Sequence, residues 1–343
     1  MRKLRILVLM HENLVPPESI EGLSDEEISD WRTEFDVCSA LTDLGHDVTK
    51  FGVGDDVGSV RGAIEELRPH VAFNLLVEFH GAASYDQHVA SFLELLRTDY
   101  TGCNPRGLTL ARDKALAKEI LTYHRVRVPG FQVFERGRRV KPHRRLRFPL
   151  FVKSVNEEAS LGISRASVVE RPEELVERVE FIHDHVRTAA IAEQFIDGRE
   201  IYVGVIGNQR LTAFPPRELS IDTLEEGEPL IATRRVKWDL AYQRAAGVRT
   251  GRAELEPETE RELSRLAKRA YRSLRLSGYA RMDFRLDREG RPYLLEANPN
   301  ADLTYGEDFA ESAEAAGMSY EELLQRLLKL GIAYRADWKL YAK

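Results

Sequence analysis

Cysteine is scarce in this chain of 343 residues, which contains only Cys38 and Cys103. Two cysteines are too few for a disulfide framework, and a zinc site would need histidine or carboxylate ligands in addition. The sequence also lacks a CxxC pair and a GxSxG nucleophile motif. These absences favour a reduced, cytoplasmic protein whose chemistry does not use a cysteine pair or a serine nucleophile elbow.

Long apolar runs and a surplus of positive charge are missing as well. No run approaches the about 18 apolar residues of a membrane span. The N-terminal run from Ile6 to Met10 is shorter than the about 7–15 residues of a signal-peptide core, so we expect a buried first strand. Lysine and arginine number 50 against 56 aspartate and glutamate, a net charge of −6. Membrane and nucleic-acid partners are therefore not expected.

The first hundred residues alternate short apolar strands with amphipathic helices, which predicts an α/β fold with a parallel, doubly wound sheet. The predicted strands are 4–10, 47–51, 71–77 and 100–102, and the predicted helices are 27–44, 60–67 and 85–96. Gly52 to Gly58 have the spacing GxGxxxG, one residue longer than a dinucleotide fingerprint, and follow the second strand. We interpret them as a turn.

After residue 105 the pattern predicts an α+β arrangement. The predicted helices are 108–123, 172–185, 257–275 and 320–332, and the predicted strands are 131–135, 149–154, 166–169, 189–196, 200–206, 210–213, 280–287 and 292–297. We expect the strands 189–196, 200–206 and 210–213 to form one antiparallel set. Residues 214–254 are polar and rich in proline and glycine, which predicts a long functional loop that closes over a site.

Two strands joined by a short turn carry the strongest chemical pattern. Because side chains alternate along a strand, Arg281 and Asp283 share one face, and Glu296 and Asn298 share a face of the second strand. An antiparallel hairpin would bring these four side chains together. Carboxylate and amide oxygens are the ligands that Mg²⁺ prefers, so Asp283, Glu296 and Asn298 are candidate metal ligands. The alternative is a solvated face of the hairpin.

Two lysines and one extended segment are further candidates. Lys153 ends an apolar strand and precedes a small-residue loop, an arrangement that can hold phosphates, although no Walker A motif is present. Lys114 follows Asp113 in the predicted helix 108–123 and by itself reads as a surface lysine. The segment from Glu193 to Glu200 combines an extended apolar stretch with a carboxylate after a turn. It could meet an adenine edge and ribose hydroxyls, or be an ordinary hairpin.

Together these blocks resemble the ATP-grasp superfamily, and within it the D-alanine–D-alanine ligase-like branch. The resemblance covers residues 71–332 and includes the entry to the central domain at 99–104 and 110–115. It implies an N-terminal Rossmann-like domain at 1–105, a central lid at 106–190 and a C-terminal catalytic domain with an antiparallel sheet at 191–343.

The resemblance also implies roles for individual residues. Lys114 and Lys153 match the family's phosphate lysines, and Ser160 and Gly162 lie in its phosphate loop. Arg281 matches the arginine that steadies the tetrahedral intermediate. The resemblance further assigns adenine to the segment of Glu193, Gln194, Phe195 and Ile196, the ribose to Glu200, and two Mg²⁺ ions, with Mn²⁺ as an alternative, to Asp283, Glu296 and Asn298. Lys237 corresponds, in less similar surroundings, to a lysine on a mobile loop over the phosphates.

Departures from the family pattern fall where its substrates bind. The glycine-rich segment that holds the first D-alanine is not visible, and the Ser-Pro-Gly that holds the second carboxylate is replaced by a run containing Asn300 and Asp302. Because Asp302 would repel a carboxylate, a neutral or cationic amine is favoured. Glu12, Glu18 and His80, near predicted strand ends, are further candidates for substrate contacts.

The sequence therefore predicts an ATP-dependent carboxylate–amine ligase that works through an acyl phosphate on amino acids or small peptides. Its expected partners are small-molecule substrates, and only the resemblance points to a homodimer. Three alternatives stay open: a strict D-alanine–D-alanine ligase, another ATP-grasp reaction such as carboxylation, and an ATP-binding pseudoenzyme or regulator.

Overall fold

The computed structural model describes residues 3–156, 163–224 and 229–341. Within them the strands form three separate sheets. None of the helices in these ranges is both long and apolar enough to cross a bilayer.

The N-terminal sheet is parallel, as the alternation of strands and helices predicts. Its strands are β1 (Arg5–His11), β2 (Asp47–Val53) and β3 (Val71–Asn74), in the order β2-β1-β3. The helices of this part are α1 (Asp25–Ile28), α2 (Arg32–Asp43), α3 (Gly58–Leu67) and α4 (Asp86–Leu95). The predicted strand at 100–102 is wrong, because only an isolated bridge between Ala72 and Tyr100 forms there.

The single helix predicted at 108–123 is two helices, α5 (Pro105–Arg112) and α6 (Lys114–Tyr123). Asp113 between them is extended, and its side chain accepts hydrogen bonds from the amides of Ala115 and Leu116. This N-cap starts α6 afresh and makes Lys114 its first residue.

The central sheet is antiparallel, with the order β4-β7-β5-β6. Its strands are β4 (Phe131–Phe134), β5 (Leu150–Ser154), β6 (Val168–Val169) and β7 (Ala190–Gln194). Helix α7 (Pro172–Phe181) continues into a π-helical turn, Ile182–Val186. The expected pairing of the strand at 189–196 with the strand at 200–206 is wrong, because β7 is already flanked by β4 and β5.

The third sheet has the order β11-β10-β8-β12-β13, with β9 paired to β8. Its strands are β8 (Gly198–Ile206), β9 (Thr212–Ala213), β10 (Arg217–Ile221), β11 (Val248–Arg252), β12 (Tyr279–Asp287) and β13 (Pro292–Pro299). The helices are α8 (Arg234–Trp238), α9 (Leu240–Ala246), α10 (Pro257–Ser273), α11 (Asp308–Ala315), α12 (Tyr320–Ala333) and α13 (Asp337–Tyr341).

The long loop predicted at 214–254 is wrong in its described part, which contains β10, α8, α9 and β11. Strand β10 pairs with β8 and β11, so its hydrogen bonds come from distant segments that local composition does not reveal. Leu219 of β10 and Val236 of α8 pack with Tyr202 of β8 in a small apolar cluster. This packing fixes the segment beside the central strands of the third sheet.

Candidate active site

The hairpin of β12 and β13 assembles the four side chains that strand alternation places together. Arg281 lies opposite Asn298, and Asp283 lies opposite Glu296. Arg281 donates to both oxygens of Asp283, with Nε–Oδ1 at 2.8 Å and Nη2–Oδ2 at 2.9 Å. The amide nitrogen of Asn298 donates to Asp283 Oδ2 at 2.8 Å. The predicted placement is confirmed, whereas the predicted roles of these residues remain predictions.

A β-bulge aims the second strand at this cluster. Asp283 pairs with Glu296 but Phe284 pairs with Leu294, so Leu295 is an extra residue of β13. The bulge changes the alternation: Leu294 and Ala297 are both buried, and Glu296 and Asn298 remain on the partly exposed face. In a regular strand of the same sequence, with no bulge at Leu295, Leu294 would share a face with the two polar side chains.

Buried lysines surround the carboxylates on the side of the central sheet. Lys153 Nζ lies 3.5 Å from Glu296 Oε2 and 3.6 Å from Glu193 Oε2. Lys118 Nζ lies 3.3 Å from Glu193 Oε1. Lys114 is buried at the start of α6, one helical turn before Lys118. These side chains form a chain of alternating charge that joins α6, β7, β5 and β13.

The two facing carboxyl groups are tuned in opposite directions. Burial would raise the pKa of Glu296, but Lys153 and its neighbouring lysines, Lys237 among them, hold that pKa well below its ordinary value. Burial raises the pKa of Asp283 above its ordinary value, against the pull of Arg281. Glu296 is therefore a firmly ionised carboxylate, and Asp283 depends on nearby cations to be one.

Arg281 is held on three sides. Besides Asp283, Asp308 Oδ2 lies 3.6 Å from its Nη1, and its guanidinium lies 4.4 Å from the ring centre of Tyr202. Sequence reasoning missed Asp308, Tyr202 and Lys118. For Lys118 a signal existed, because residues four apart on a helix share a face and Lys114 was already a candidate. Asp308 and Tyr202 belong to other elements and gave no local signal.

Two backbone amides of the segment predicted to meet adenine already donate hydrogen bonds within the protein. The amide of Gln194 donates to the carbonyl of Gly130 at 2.7 Å, and that of Phe195 donates to Pro149 at 2.9 Å. These two amides have backbone partners because the edges of β7 continue their pairing beyond its last residue, and the adenine contact predicted for the segment stays a prediction. The carbonyl of Ile196 accepts from Arg285 Nη1 at 3.3 Å.

Glu200, the predicted ribose carboxylate, is buried and already bonded. Its Oε2 accepts from Arg285 Nη2 at 2.8 Å, and its Oε1 accepts from the hydroxyl of Tyr202 at 2.9 Å. Arg285 shares the face of Arg281 and Asp283 on β12 and thereby connects the predicted nucleotide segment to the hairpin. Ser160 and Gly162, predicted in the phosphate loop, lie outside the described residues.

Three of the predicted substrate residues lie in the loops of the N-terminal sheet. Glu12 is an exposed residue in the turn after β1, beside Gly54. Glu18 Oε1 lies 3.0 Å from Lys50 Nζ, and His80 Nδ1 lies 2.9 Å from Asp55 Oδ1. The three residues lie near strand ends, as predicted; the partner of Glu18 is on β2, and the partner of His80 is in the loop after β2.

Asn300 and Asp302 brace the turn that follows β13. Asn300, in the left-handed region at φ 54°, accepts from the amide of Cys103 at 2.7 Å. One oxygen of Asp302 accepts from the Thr304 amide at 2.8 Å and from the Thr33 hydroxyl at 3.0 Å. Because Thr33 belongs to α2, this turn joins the N-terminal part to the hairpin.

The donor set suits Mg²⁺ only together with further oxygen ligands. The described residues contain no group of three or more histidine, cysteine, aspartate or glutamate side chains that could hold a metal ion. The hairpin offers two carboxylates, Asp283 and Glu296, and the amide of Asn298. A small number of protein oxygens completed by phosphate and water is the usual arrangement for Mg²⁺, so the residues fit a nucleotide-bound ion.

Comparisons with known proteins agree with this arrangement. The sequence model of a family described as D-ala D-ala ligase C-terminus matches residues 120–329. The chain is 31% identical over 318 residues to the D-alanine–D-alanine ligase of Syntrophotalea carbinolica, which covers 90% of this chain and 92% of that protein. It is equally 31% identical, over 301 residues, to the uncharacterized protein y4sG of Sinorhizobium fredii, with 85% of each chain covered.

Solved structures give the same fold. The D-alanine–D-alanine ligase of Bacillus anthracis complexed with ATP superposes with a TM-score of 0.74 at 21% identity, covering 96% of this chain and 97% of that one. The VanG D-Ala:D-Ser ligase of Enterococcus faecalis superposes with a TM-score of 0.69 at 18% identity, covering 96% and 100%.

Proposed function

This chain belongs to the D-alanine–D-alanine ligase family of ATP-dependent carboxylate–amine ligases, and we propose that it joins a small amino acid or peptide carboxylate to a neutral or cationic amine. The observation that supports the proposal is that two pairs of oppositely charged side chains face each other at one hairpin. Arg281 and Asp283 lie on one strand, and Glu296, held by Lys153, lies opposite.

The first half of the proposed reaction forms an acyl phosphate. An oxygen of the substrate carboxylate bonds to the γ-phosphorus of ATP while the bond to the β–γ bridging oxygen breaks, and ADP leaves. Lys114 and Lys153 bind the phosphates, and Lys237 approaches them from α8. Positioned cations stabilise the charge that spreads over the transferring oxygens.

In the second half, the amine nitrogen attacks the acyl carbon and loses a proton to water as inorganic phosphate leaves. The guanidinium of Arg281 stabilises the negative oxygen of the tetrahedral intermediate. Asp283, Glu296 and Asn298 would hold two Mg²⁺ ions, or Mn²⁺ instead, and the bound ions supply charge neutralisation on the phosphates.

The identity of the amine depends on the turn after β13. Asp302 stands where the family resemblance expects small residues that hold a carboxylate. Glu34, which is 5% exposed, adds a second carboxyl group within electrostatic range of Asp302. Two carboxyl groups here favour an amine substrate without a free carboxylate next to the attacking nitrogen.

A phosphate-release screen over pairs of D- and L-amino acids and short peptides, with mass spectrometry of the products, tests the proposal. We expect ADP to form in step with an amide product, and only when both substrates are present. Asp283→Asn should abolish both signals, whereas Asp287→Asn, at the surface end of the same strand, should retain them. ADP formation with bicarbonate alone would contradict the ligase reaction and indicate that the protein is a carboxylating enzyme.

Two further outcomes of the same screen decide between the remaining readings. A clear preference for two D-alanines would overturn the proposed amine specificity and leave a strict D-alanine–D-alanine ligase. ATP binding without phosphate release over the whole panel would instead indicate a regulator. A homodimer and a cytoplasmic location also belong to this proposal, and light scattering tests the first.

A further inference from the structure

Lys118 is an almost fully buried cation outside the predicted set of phosphate-binding lysines. It lies on α6 and is 1% exposed. Burial lowers its pKa and Glu193 opposes that effect. A buried ammonium group is retained only where its charge and its donors find partners.

The partners of Lys118 lie on two different elements. Its Nζ donates to the carbonyl of Leu295 on β13 and pairs with Glu193 on β7. Leu295 is the extra residue of the bulge that leaves Glu296 beside Asp283. The bond from Lys118 therefore satisfies the carbonyl that the bulge removes from regular pairing.

This hydrogen bond lies next to a predicted metal ligand in the chain. Glu296 follows Leu295 directly, so a shift of the Leu295 carbonyl moves the Glu296 backbone. A slip of one residue in the pairing of β13 with β12 would turn Glu296 to the opposite face of the sheet. We propose that Lys118 is a positioning residue that holds the β13 bulge, and so holds Glu296 facing Asp283 for the nucleotide-bound Mg²⁺.

This inference rests on the proposed function, because it assumes that Glu296 serves a Mg–ATP site. Lys118 itself touches neither the substrate nor the nucleotide in this proposal. Glu193 compensates the buried charge of Lys118, and the bond to Leu295 does the positioning. These two tasks can be separated by substitution.

The measured quantity is the factor by which Mg²⁺ improves ATP binding, from calorimetry with and without the metal. We expect Lys118→Met to reduce this factor about 10–100-fold, the usual cost of losing a partner that orients a metal ligand. Lys329→Met, at an exposed position of α12, is the matched control and should behave as wild type.

The double variant Lys118→Met with Glu193→Gln separates positioning from charge compensation. Without Lys118, Glu193 is a buried carboxylate with one cation fewer, so Lys118→Met should lower the unfolding temperature. The double variant should regain part of the lost unfolding temperature, because it has no buried charge at position 193. Under the proposal, the factor by which Mg²⁺ improves ATP binding stays reduced in the double variant. Full recovery of that factor, or an unchanged factor in Lys118→Met, would overturn the inference. Wild-type protein that does not bind Mg–ATP would overturn the proposed function as well.

Discussion

Asp283 is subject to competing demands at the centre of the hairpin. Both of its oxygens accept hydrogen bonds, from Arg281 and from Asn298. An incoming cation must share this carboxylate with the guanidinium. The bidentate geometry orients Arg281 as well as Asp283, so the pair prepares both the predicted metal ligand and the predicted oxyanion donor.

Arg281→Lys tests the role of the two parallel hydrogen bonds from the Arg281 guanidinium to Asp283. Lysine keeps the positive charge but cannot bond both oxygens of Asp283, so we expect kcat to fall about 10²–10³-fold with little change in the KM for ATP. Steady-state kinetics of the amide-forming reaction measures both constants. Arg291→Lys is the control, because Arg291 pairs with Asp287 on the exposed end of the same hairpin. A kcat close to wild type in Arg281→Lys would contradict the assignment.

Glu34 should make the stability of the protein depend on pH. Burial, with a smaller contribution from Asp302, raises the pKa of Glu34 from 4.5 to about 7. Its Oε2 has no hydrogen-bond partner among the described residues. A carboxyl group with a raised pKa stabilises the fold below its unfolded pKa, and this contribution disappears as the pH rises through about 7.

We therefore expect Glu34→Gln to raise the free energy of unfolding at pH 8 by about 3 kcal/mol at most, and to change it little at pH 4. Urea unfolding at both pH values measures the effect. Glu26→Gln on the exposed surface of α1 should show no such difference. Equal effects of Glu34→Gln at the two pH values would disprove the explanation.

At the scale of elements, the start of α6 matters most for the lysines. Asp113 caps this helix through the amides of Ala115 and Leu116, at 3.0 and 2.9 Å. The cap fixes where the helix begins and thereby the direction of Lys114. A helix that frays at its first turn would release this lysine from the site.

Asp113→Ala should therefore cost about 1 kcal/mol of stability and also weaken ATP binding several-fold. Thermal unfolding and ATP titration measure the two effects. Ser319→Ala removes the N-cap of α12, far along the chain from the lysines, and should cost similar stability without changing ATP affinity. If both variants bind ATP equally well, the cap does not position Lys114.

Local pattern predicted the elements whose burial follows a simple period. Alternation along residues 280–287 and 292–297 predicted the β12–β13 hairpin and the meeting of Arg281, Asp283 and Asn298, which the structure confirms. It could not predict the bulge at Leu295, because an extra residue changes the period within the strand. Lys118 shares a face of α6 with Lys114, which the sequence does show, but its partners on β7 and β13 are not visible in the local pattern.

Nonlocal pairing explains the other errors. Strand β10 looks like loop in the sequence because its partners, β8 and β11, are separated from it by intervening segments. The strands β7 and β8 are consecutive and joined by a tight turn, which favours a hairpin, yet each completes a different sheet. Sequence neighbourhood is a weaker guide than the number of partners that a strand already has.

At the scale of the whole molecule, we propose three domains, one for each sheet. The turn between β7 and β8 separates the central from the third sheet, a few residues after the boundary predicted at 190. The proposed nucleotide lies between these two sheets, because Lys153 and Glu193 come from one and Glu296 and Arg285 from the other. The N-terminal sheet adds the loops that carry Glu12 and His80.

The turn around Asp302 is where the N-terminal part meets the hairpin, so its charge can select the second substrate. Asp302→Asn keeps an oxygen that can accept from Thr33 and Thr304 while removing the negative charge. We expect this variant to accept amines that carry a free carboxylate about tenfold better relative to amines that lack one, since relief of like-charge repulsion is worth at least about 1.4 kcal/mol.

The ratio of kcat/KM for a matched pair of amines, an amino acid and its amide, measures this preference. Asp30→Asn, an exposed position before α2, is the control for a general loss of negative charge and should leave the ratio unchanged. An unchanged ratio in Asp302→Asn would mean that the charge of Asp302 only braces the turn. The amine specificity would then have to come from Asn300 or from the N-terminal loops, because they carry the remaining predicted substrate residues.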